Sequence, residues 1–139
     1  MGRVTGIGGV FFKVEDPGRT RDWYREHLGL HTDEYGTSFE WLEADGGSEK
    51  GFTQWSPFQQ RSDYFRGEFM INYRVEDLDS LLDSLRAKGV EILDEVQAYE
   101  YGRFVHIVDG DGVAVELWEP NNSTYDDMIG EGRTKSTYR

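Results

Sequence analysis

Apolar and polar residues alternate along this chain with two periods, and each period predicts a type of element. Residues 9–14 alternate with a period of two, which is typical of a strand. Asp16 then stands where a helix N-cap belongs, Pro17 suits the first helical position, and Gly29 marks the end of a predicted helix. Residues 69–75 predict a second strand. The helix after it has an apolar stripe at helical spacing, formed by Leu78, Leu81, Leu82 and Leu85.

Three shorter stretches of strand character follow each predicted helix. In the first half they cover residues 31–35, 38–43 and 51–55, and the glycine-rich "ADGGSEKG" between the last two predicts a turn. In the second half they cover residues 90–96, 103–108 and 113–118. Each half therefore predicts the order strand, helix, strand, strand, strand. The closing strand alternates between apolar and mixed residues, so we expect Glu116 and Trp118 to face a pocket and their neighbours to face the helix.

The two halves also repeat in sequence. Asp16 and Asp77 both follow an aromatic, a basic residue, Val and Glu, and they are 61 residues apart. Trp55 and Trp118 each stand two residues before a proline and are 63 residues apart. Repetition at one spacing predicts a duplicated module. We interpret the chain as an α+β protein with two βαβββ modules in a paired arrangement that encloses a cavity.

The predicted boundaries follow from that repeat. One domain covers residues 1–139, with module one at about 5–57, a linker at about 58–67, module two at about 68–120 and a polar tail at about 121–139. We expect the tail to lie on the surface or to reach a partner chain. The pattern leaves open whether the modules pair within one chain or are swapped between two chains.

Composition narrows the functional classes. The formal net charge is −12, from 27 acidic and 15 basic residues, so we expect no nucleic-acid partner. There is no cysteine, which excludes a disulfide framework and a thiol nucleophile. The sequence has neither a signal-peptide pattern nor an apolar stretch long enough to span a bilayer. We therefore predict a cytoplasmic protein without a membrane partner.

Three segments carry a family resemblance: "GVFFKVEDPGRTRDWYREHLGL", "NYRVEDLDSLLDSLRAKGVEI" and "FVHIVDGDGVAVELWEP". Together they resemble the vicinal oxygen chelate superfamily, which includes glyoxalase I, methylmalonyl-CoA epimerase, extradiol dioxygenases and the fosfomycin- and bleomycin-resistance proteins. The resemblance covers about residues 5–120. It implies paired βαβββ modules around a cavity, and the bleomycin-resistance branch implies a homodimer.

The resemblance also implies where a divalent metal would be held. Enzymes of the superfamily use up to four His, Glu or Gln side chains, and the matching positions here are Gly9, Thr53, Met70 and Glu116. Only the glutamate is a good ligand for a hard divalent ion. We therefore predict no metal cofactor. The alternative is a displaced divalent metal site built by Glu116 with His106 and Glu43.

The same reasoning predicts a set of ligand-binding residues on the cavity side of the strands. The set comprises Phe11, Trp55, Met70, Asn72, Arg74, Phe104, His106, Glu116 and Trp118. The aromatic members either form the wall of a pocket for a flat or apolar ligand or fill that pocket themselves. Arg74 is a partner for Glu116 or for an anionic ligand, or else forms a salt bridge at the rim.

Glu116 and His106 are the candidate catalytic residues. Glu116 is a ligand anchor or general base in one interpretation and an inherited carboxylate paired with a neighbouring base in the other. His106 lies on the adjacent strand, so the two side chains could transfer protons at neutral pH. The alternative for His106 is a structural histidine with satisfied hydrogen bonds.

These observations favour a metal-independent small-molecule-binding protein of the glyoxalase/bleomycin-resistance type. If the ligand were bleomycin, the acidic surface would attract that cationic drug. The rival hypothesis is an enzyme, a lyase, isomerase or dioxygenase, that uses a displaced metal or acid–base chemistry by His106 and Glu116. A third hypothesis is an interaction module whose cavity has collapsed, which predicts no pocket of ligand size.

Overall fold

The computed structural model describes residues 2–43 and 49–135. It contains eight strands and three helices in these described ranges, and the predicted turn at "ADGGSEKG" lies largely outside them. The elements in chain order are β1 (Arg3–Val14), α1 (Pro17–Leu28), β2 (Thr37–Leu42), β3 (Lys50–Gln59), β4 (Phe69–Glu76), α2 (Leu78–Ala87), β5 (Gln97–Tyr99), β6 (Gly102–Val108), β7 (Ala114–Pro120), α3 (Asn122–Ile129) and β8 (Arg133–Lys135).

All eight strands form one mixed sheet, in the order β5-β6-β7-β4-β1-β3-β2-β8. The two predicted modules are its two halves, and β1 and β4 join them by antiparallel pairing. Within each half the opening strand pairs in parallel with the closing strand, β1 with β3 and β4 with β7. In this chain the two modules therefore pair edge to edge with each other.

The predicted helix boundaries are confirmed by their caps. The side chain of Asp16 accepts a hydrogen bond from the Arg19 amide at the start of α1, and Gly29 ends this helix in the left-handed conformation with φ 75°. The side chain of Asp77 accepts a hydrogen bond from the Ser80 amide at the start of α2. The shared Val-Glu-Asp motif is thus explained, because each module needs a carboxylate at the point where its opening strand meets its helix.

Module two has the larger apolar core. Leu78 and Leu82 of α2 are fully buried against the outward face of its sheet. The strand residues beneath them are Val75, Val105, Ile107, Val115 and Leu117. This confirms the predicted alternation in β7, because its apolar residues face the helix and leave Glu116 and Trp118 on the other face.

Two predicted strands are wrong. Residues 31–35 form a turn in which Asp33 and Gly36 make an isolated bridge, rather than a strand. Over residues 90–96 only Ile92 makes a bridge, to Ile107, and the regular edge strand β5 begins at Gln97. Both stretches carry β-type residues but lack a continuous partner strand, so local propensity did not decide their conformation.

The predicted tail contains α3 and β8. Its residues up to Lys135 fold back on module one, where β8 pairs in parallel with β2. The buried carboxylate of Glu40 on β2 lies 2.7 Å from Arg133 Nη1, which also lies 2.6 Å from Asp126 of α3. These ion pairs hold α3 across the face of the sheet opposite to α1 and α2. Among the described residues, no helix is long and apolar enough to cross a membrane.

Candidate functional site

A cavity of about 660 Å³ lies between the inward face of the sheet and α3. Its floor comes from the central strands, its walls from aromatic side chains, and one side from α3. The lining residues include Gly8 and Phe11 of β1, Gln54, Ser56 and Phe58 of β3, Asn72 of β4, Phe104 of β6, Glu116 and Trp118 of β7, and Tyr125, Met128 and Ile129 of α3. The hypothesis of a collapsed cavity is therefore wrong.

Aromatic rings form the wall on the side of module two. The rings of Phe104 and Trp118 are stacked with their centroids 5.6 Å apart, and Tyr125 meets Trp118 edge-on at 5.0 Å. The indole nitrogen of Trp118 donates to the Tyr101 carbonyl at 3.0 Å, which fixes the ring. A ligand that enters the cavity thus meets rigid apolar surface, which favours a flat molecule.

Glu116 is fully buried at the floor of the cavity and has three protein partners. Asn72 Nδ2 donates to Oε1 at 2.6 Å, and the Tyr64 hydroxyl donates to Oε2 at 2.5 Å. His106 Nε2 lies 2.8 Å from Oε2, although its alignment falls short of a regular hydrogen bond. The protein therefore already satisfies this carboxylate before any ligand arrives.

The charge of Glu116 changes the titration of its neighbours. Burial alone lowers the pKa of His106, but its contacts with Glu116 and with Asp94, 2.6 Å from Nδ1, outweigh burial and raise the pKa to about 9. Burial and then the Glu116 carboxylate raise the pKa of the Tyr64 hydroxyl. At neutral pH His106 is therefore a protonated imidazole and Tyr64 a neutral phenol.

A second polar group holds α3 against β2 and β3. The Tyr125 hydroxyl donates to Gln54 Oε1 at 2.7 Å and lies 2.6 Å from Ser38 Oγ, which itself donates to Gln54 Oε1 at 2.5 Å. Burial raises the pKa of Tyr125 to about 12, so the hydroxyl keeps its proton as a donor. This group closes the module-one side of the cavity.

Five of the nine predicted ligand-binding residues line the cavity: Phe11, Asn72, Phe104, Glu116 and Trp118. The prediction for Trp55 is wrong, because its ring packs on the other face of the sheet against Phe12 and Tyr24 of α1. The two tryptophan–proline motifs are not equivalent. Pro57 lies inside β3 beyond the end of β2, whereas Pro120 ends β7.

Arg74 does not contact Glu116 as predicted. Its guanidinium is fully buried, with Nη2 3.0 Å from Glu43 and 2.7 Å from Asn122 Oδ1, and it lies between the rings of Trp41 and Trp118. Burial lowers the pKa of Arg74, and Glu43 opposes that effect. The arginine therefore anchors the start of α3 through Nη2, while its buried Nε and Nη1 have no hydrogen-bond partner among the described residues. Glu43 is engaged there and does not join His106 and Glu116.

Met70 and His106 lie on the cavity face of their strands but border a smaller pocket of about 230 Å³ behind Tyr64. Met70 is buried in an aromatic cluster with Phe11, Phe65 and Phe58. The ring of Tyr64 separates His106 from the main cavity, since Tyr64 borders both spaces. Neither residue presents its side chain directly to a ligand in the main cavity.

The residues at the floor do not fit a divalent metal. Gly9 has no side-chain atom that could bind a metal, and it lies beneath the Phe11 ring. The Thr53 hydroxyl donates to the Ile7 carbonyl at 2.7 Å and accepts from the Trp41 indole nitrogen at 3.0 Å. Gln54, Gly9, Asn72, Glu116 and His106 form one row across β3, β1, β4, β7 and β6, and the one imidazole of this row already contacts its one carboxylate. Within residues 2–43 and 49–135, no three His, Cys, Asp or Glu side chains are grouped to hold a metal ion.

Sequence reasoning missed Gln54, Tyr64 and Tyr125 as site residues. Tyr64 lies in the predicted linker and Tyr125 in the predicted tail, and neither segment has the periodicity by which the strands were found. These two tyrosines could have been suspected from composition alone, since both segments carry aromatic residues among polar ones. Gln54 was missed because the motif alignment placed its neighbour Thr53 on the cavity side.

A fold of two βαβββ modules joined edge to edge, with a cavity on the face away from α1 and α2, defines a class of protein. Residues 6–117 match the family model of the Glyoxalase/Bleomycin resistance protein/Dioxygenase superfamily. The chain belongs to this superfamily, as the resemblance implied.

Solved structures agree with this assignment. Methylmalonyl-CoA epimerase from Mycobacterium tuberculosis is 27% identical, with a TM-score of 0.60 over 88% of this chain and 93% of that one. A variant of the Streptomyces coelicolor epimerase in complex with 2-nitronate-propionyl-CoA is 19% identical, with a TM-score of 0.64 over 86% and 99%. A Legionella pneumophila structure described as an NAD-dependent benzaldehyde dehydrogenase is 14% identical, with a TM-score of 0.53 over 81% and 98%. Comparison with curated protein sequences finds no match.

The contact between His106 and Glu116 predicts a pH-dependent stability. The folded pKa of about 9 lies above the ordinary value of 6.5, so the contribution is complete below about pH 6.5 and is lost as the pH rises through 9. Urea unfolding from pH 6 to 10 should show the stability advantage of the wild type over His106→Asn shrinking across this window. His27→Asn, at an exposed histidine of α1, is the control for the substitution. An advantage that stays constant or grows with pH would contradict the ion pair.

Proposed function

We propose that this protein binds a small molecule in its aromatic cavity and does so without a divalent metal. The observation that carries the proposal is the state of Glu116, whose carboxylate is held by Asn72, Tyr64 and His106 while the aromatic space above it stays open. The carboxylate serves as a fixed polar point at the floor. The ligand then gains most of its affinity from burial against the rings.

The dimensions of the cavity support this function. Its volume of about 660 Å³ lies within the range of pockets that enclose small organic ligands. Its shape is fixed by contacts that involve no ligand, such as the Tyr125–Gln54 hydrogen bond and the stacked pair of Phe104 and Trp118. A preformed pocket requires little ordering when the ligand binds, so affinity is retained. The predicted homodimer and the cytoplasmic location remain predictions from the resemblance and composition.

The wall residue Trp118 provides the test. A thermal-shift screen of small aromatic molecules, with chelator present throughout, should yield stabilising ligands for the wild type. Trp118→Leu should weaken the affinity of these ligands by roughly tenfold or more, because it removes the indole from the wall. Trp23→Leu, at a half-exposed tryptophan of α1, should leave affinity unchanged.

Isothermal titration of each ligand measures the affinities, and circular dichroism shows whether both variants are folded. Equal affinity of the two variants, or a screen that yields stabilising ligands only when the chelator is left out, would contradict the proposal. The first result would place the ligand elsewhere. The second would assign it to a metal.

A second candidate function is proton transfer to or from a bound substrate. Four titratable side chains favour this function, because each contacts the next at 2.5–2.8 Å in the order Asp94, His106, Glu116, Tyr64. These contacts connect the exposed carboxylate of Asp94 to the Tyr64 phenol at the cavity wall. A proton that leaves or reaches the substrate through the Tyr64 hydroxyl could be balanced by Glu116 and His106. The family resemblance to epimerases supports this candidate at the level of reaction class only.

Solvent exchange tests the second candidate. The wild-type protein in deuterium oxide should introduce deuterium next to the carbonyl of at least one member of a panel of hydroxyketones, dicarbonyl compounds and malonyl thioesters. Glu116→Gln should lower that rate by roughly 100-fold, because it removes the charge that orders the relay. Glu95→Gln, at an exposed position, should not change it. The absence of exchange across the panel in the wild type would exclude this candidate and leave the binding function intact.

A further inference from the structure

The charged groups around the cavity are all acidic. Asp33 and Glu34 stand at its mouth and Glu116 at its floor, while no Lys, Arg or His occurs among the described residues that line it. The nearest cations are engaged elsewhere: Arg74 with Glu43, Arg133 with Glu40 and Asp126, and His106 with Glu116 behind Tyr64. The cavity therefore has a negative potential that its own lining does not compensate.

His106 largely balances the charge of Glu116, so the uncompensated charge comes from the mouth. In the described part of the chain neither Asp33 nor Glu34 is paired with a basic side chain. Asp33 Oδ1 accepts only a hydrogen bond from the backbone amide of Tyr35. The acidic character of the whole chain, −12, adds to this local field. An approaching cation is attracted to the mouth, and an anion is repelled from it.

Asn72 supplies an independent indication of the ligand. Its side chain is 1% exposed and lines the cavity, its Nδ2 is bound to Glu116, and its Oδ1 has no hydrogen-bond donor. A Cβ atom on Gly8 would lie 2.1 Å from that oxygen, so the Asn72 side chain can take this position only because residue 8 is glycine. A buried acceptor without a donor is unfavourable unless a bound molecule supplies one.

The aromatic rings of the cavity wall also favour a cationic ligand. Tyr35, Tyr101, Phe104, Trp118 and Tyr125 line the same space. The faces of aromatic rings carry negative electrostatic potential and attract ammonium groups, most strongly where water is excluded. The acidic mouth favours a cation, the aromatic wall favours an apolar body, and the unpartnered acceptor at the floor favours an N–H donor. All three features are met by one kind of ligand, a cation that carries N–H groups on an apolar body.

We infer that the ligand of this cavity is a protonated primary or secondary amine attached to an aromatic body. The inference rests on the proposed binding function and gives it a substrate class. The ammonium group donates to Asn72 Oδ1, the negative potential of the acidic mouth favours its charge, and the ring system packs against Trp118 and Phe104. Acyl-CoA thioesters, with their anionic phosphates, are disfavoured, because the lining offers no basic side chain to receive them.

Three probes of one shape test the inference: naphthylethylamine, naphthylethanol and naphthylacetic acid, all of the same ring isomer. At neutral pH they are a cation, a neutral molecule and an anion. Titration monitored by tryptophan fluorescence should show the amine binding roughly tenfold more tightly than the alcohol, and the acid more weakly than both. Naphthylethanol that binds as tightly as the amine, or an amine that fails to bind at its solubility limit, would overturn the inference.

Two double variants and one single variant test which residues cause the preference for the amine. The double substitution Asp33→Asn with Glu34→Gln should reduce the preference for amine over alcohol by about threefold or more. Asp22→Asn with Glu26→Gln makes the same change in net charge on α1 and should leave the preference unchanged. Asn72→Ala should weaken the amine more than the alcohol. Equal effects of the two double variants would assign the preference to net charge and overturn the inference.

The result also separates this inference from the proposed function. If none of the three probes binds while the thermal-shift screen yields neutral ligands that Trp118→Leu weakens, the cavity is a binding site and the amine assignment is wrong. If neither experiment yields a ligand, both are wrong. If the amine binds and its affinity depends on Asp33, Glu34 and Asn72, both are supported.

Discussion

The antiparallel pairing of β1 with β4 is the constraint on which the rest of the structure depends. It joins two half-sheets that each have one helix-covered face, and it brings Gly9 beside Asn72 at the centre of the floor. Two successive glycines, Gly8 and Gly9, lie at this point, where the register of the β1–β4 pairing shifts. A side chain at Gly8 would meet Asn72 Oδ1 at 2.1 Å, and one at Gly9 would meet the Phe11 ring at 2.9 Å. Because β1 carries no side chains there, the Asn72 side chain and the Phe11 ring can pack directly against its backbone.

Glu116 occupies a position that can ligate a metal in other members of the superfamily, but here its carboxylate is bound by side chains of the same chain. The carboxylate is buried, so it requires partners, and here the partners are an amide, a phenol and an imidazole of the same chain. The imidazole is held in the charged form by a second carboxylate, Asp94. Removing one partner of such a buried ion pair is destabilising, because the other charge is left without compensation. The effect of the pair is to make the floor rigid and polar at one point under an apolar space.

The two modules could be predicted from the sequence, but the site residues that lie outside the modules could not. Asp16, Asp77 and the leucine stripe of α2 act through local capping and helical periodicity, so their roles could be predicted from the chain alone. The cavity-facing alternation in β7 followed from the same rule. In β3 the prediction was one residue out of phase, because Pro57 lies inside that strand and Pro120 ends its counterpart.

The remaining failures concern non-local contacts. Tyr64 reaches Glu116 across 52 residues of sequence, and Tyr125 reaches Gln54 across 71. Arg74 was expected to pair with Glu116 but is held by Glu43 and Asn122, which only the folded-back tail brings close. Such pairings are set by tertiary packing, and neither periodicity nor composition encodes them in a single sequence.

The central claim is that the protein's own side chains satisfy Glu116 and leave no site for a metal. A crystal structure of protein grown with excess Mn²⁺, with data collected at the manganese edge, tests it most directly. The account predicts the Glu116 carboxylate in contact with Asn72, Tyr64 and His106, and no anomalous peak beside it. An anomalous peak within coordination distance of Glu116, with two or more further protein ligands, would contradict it.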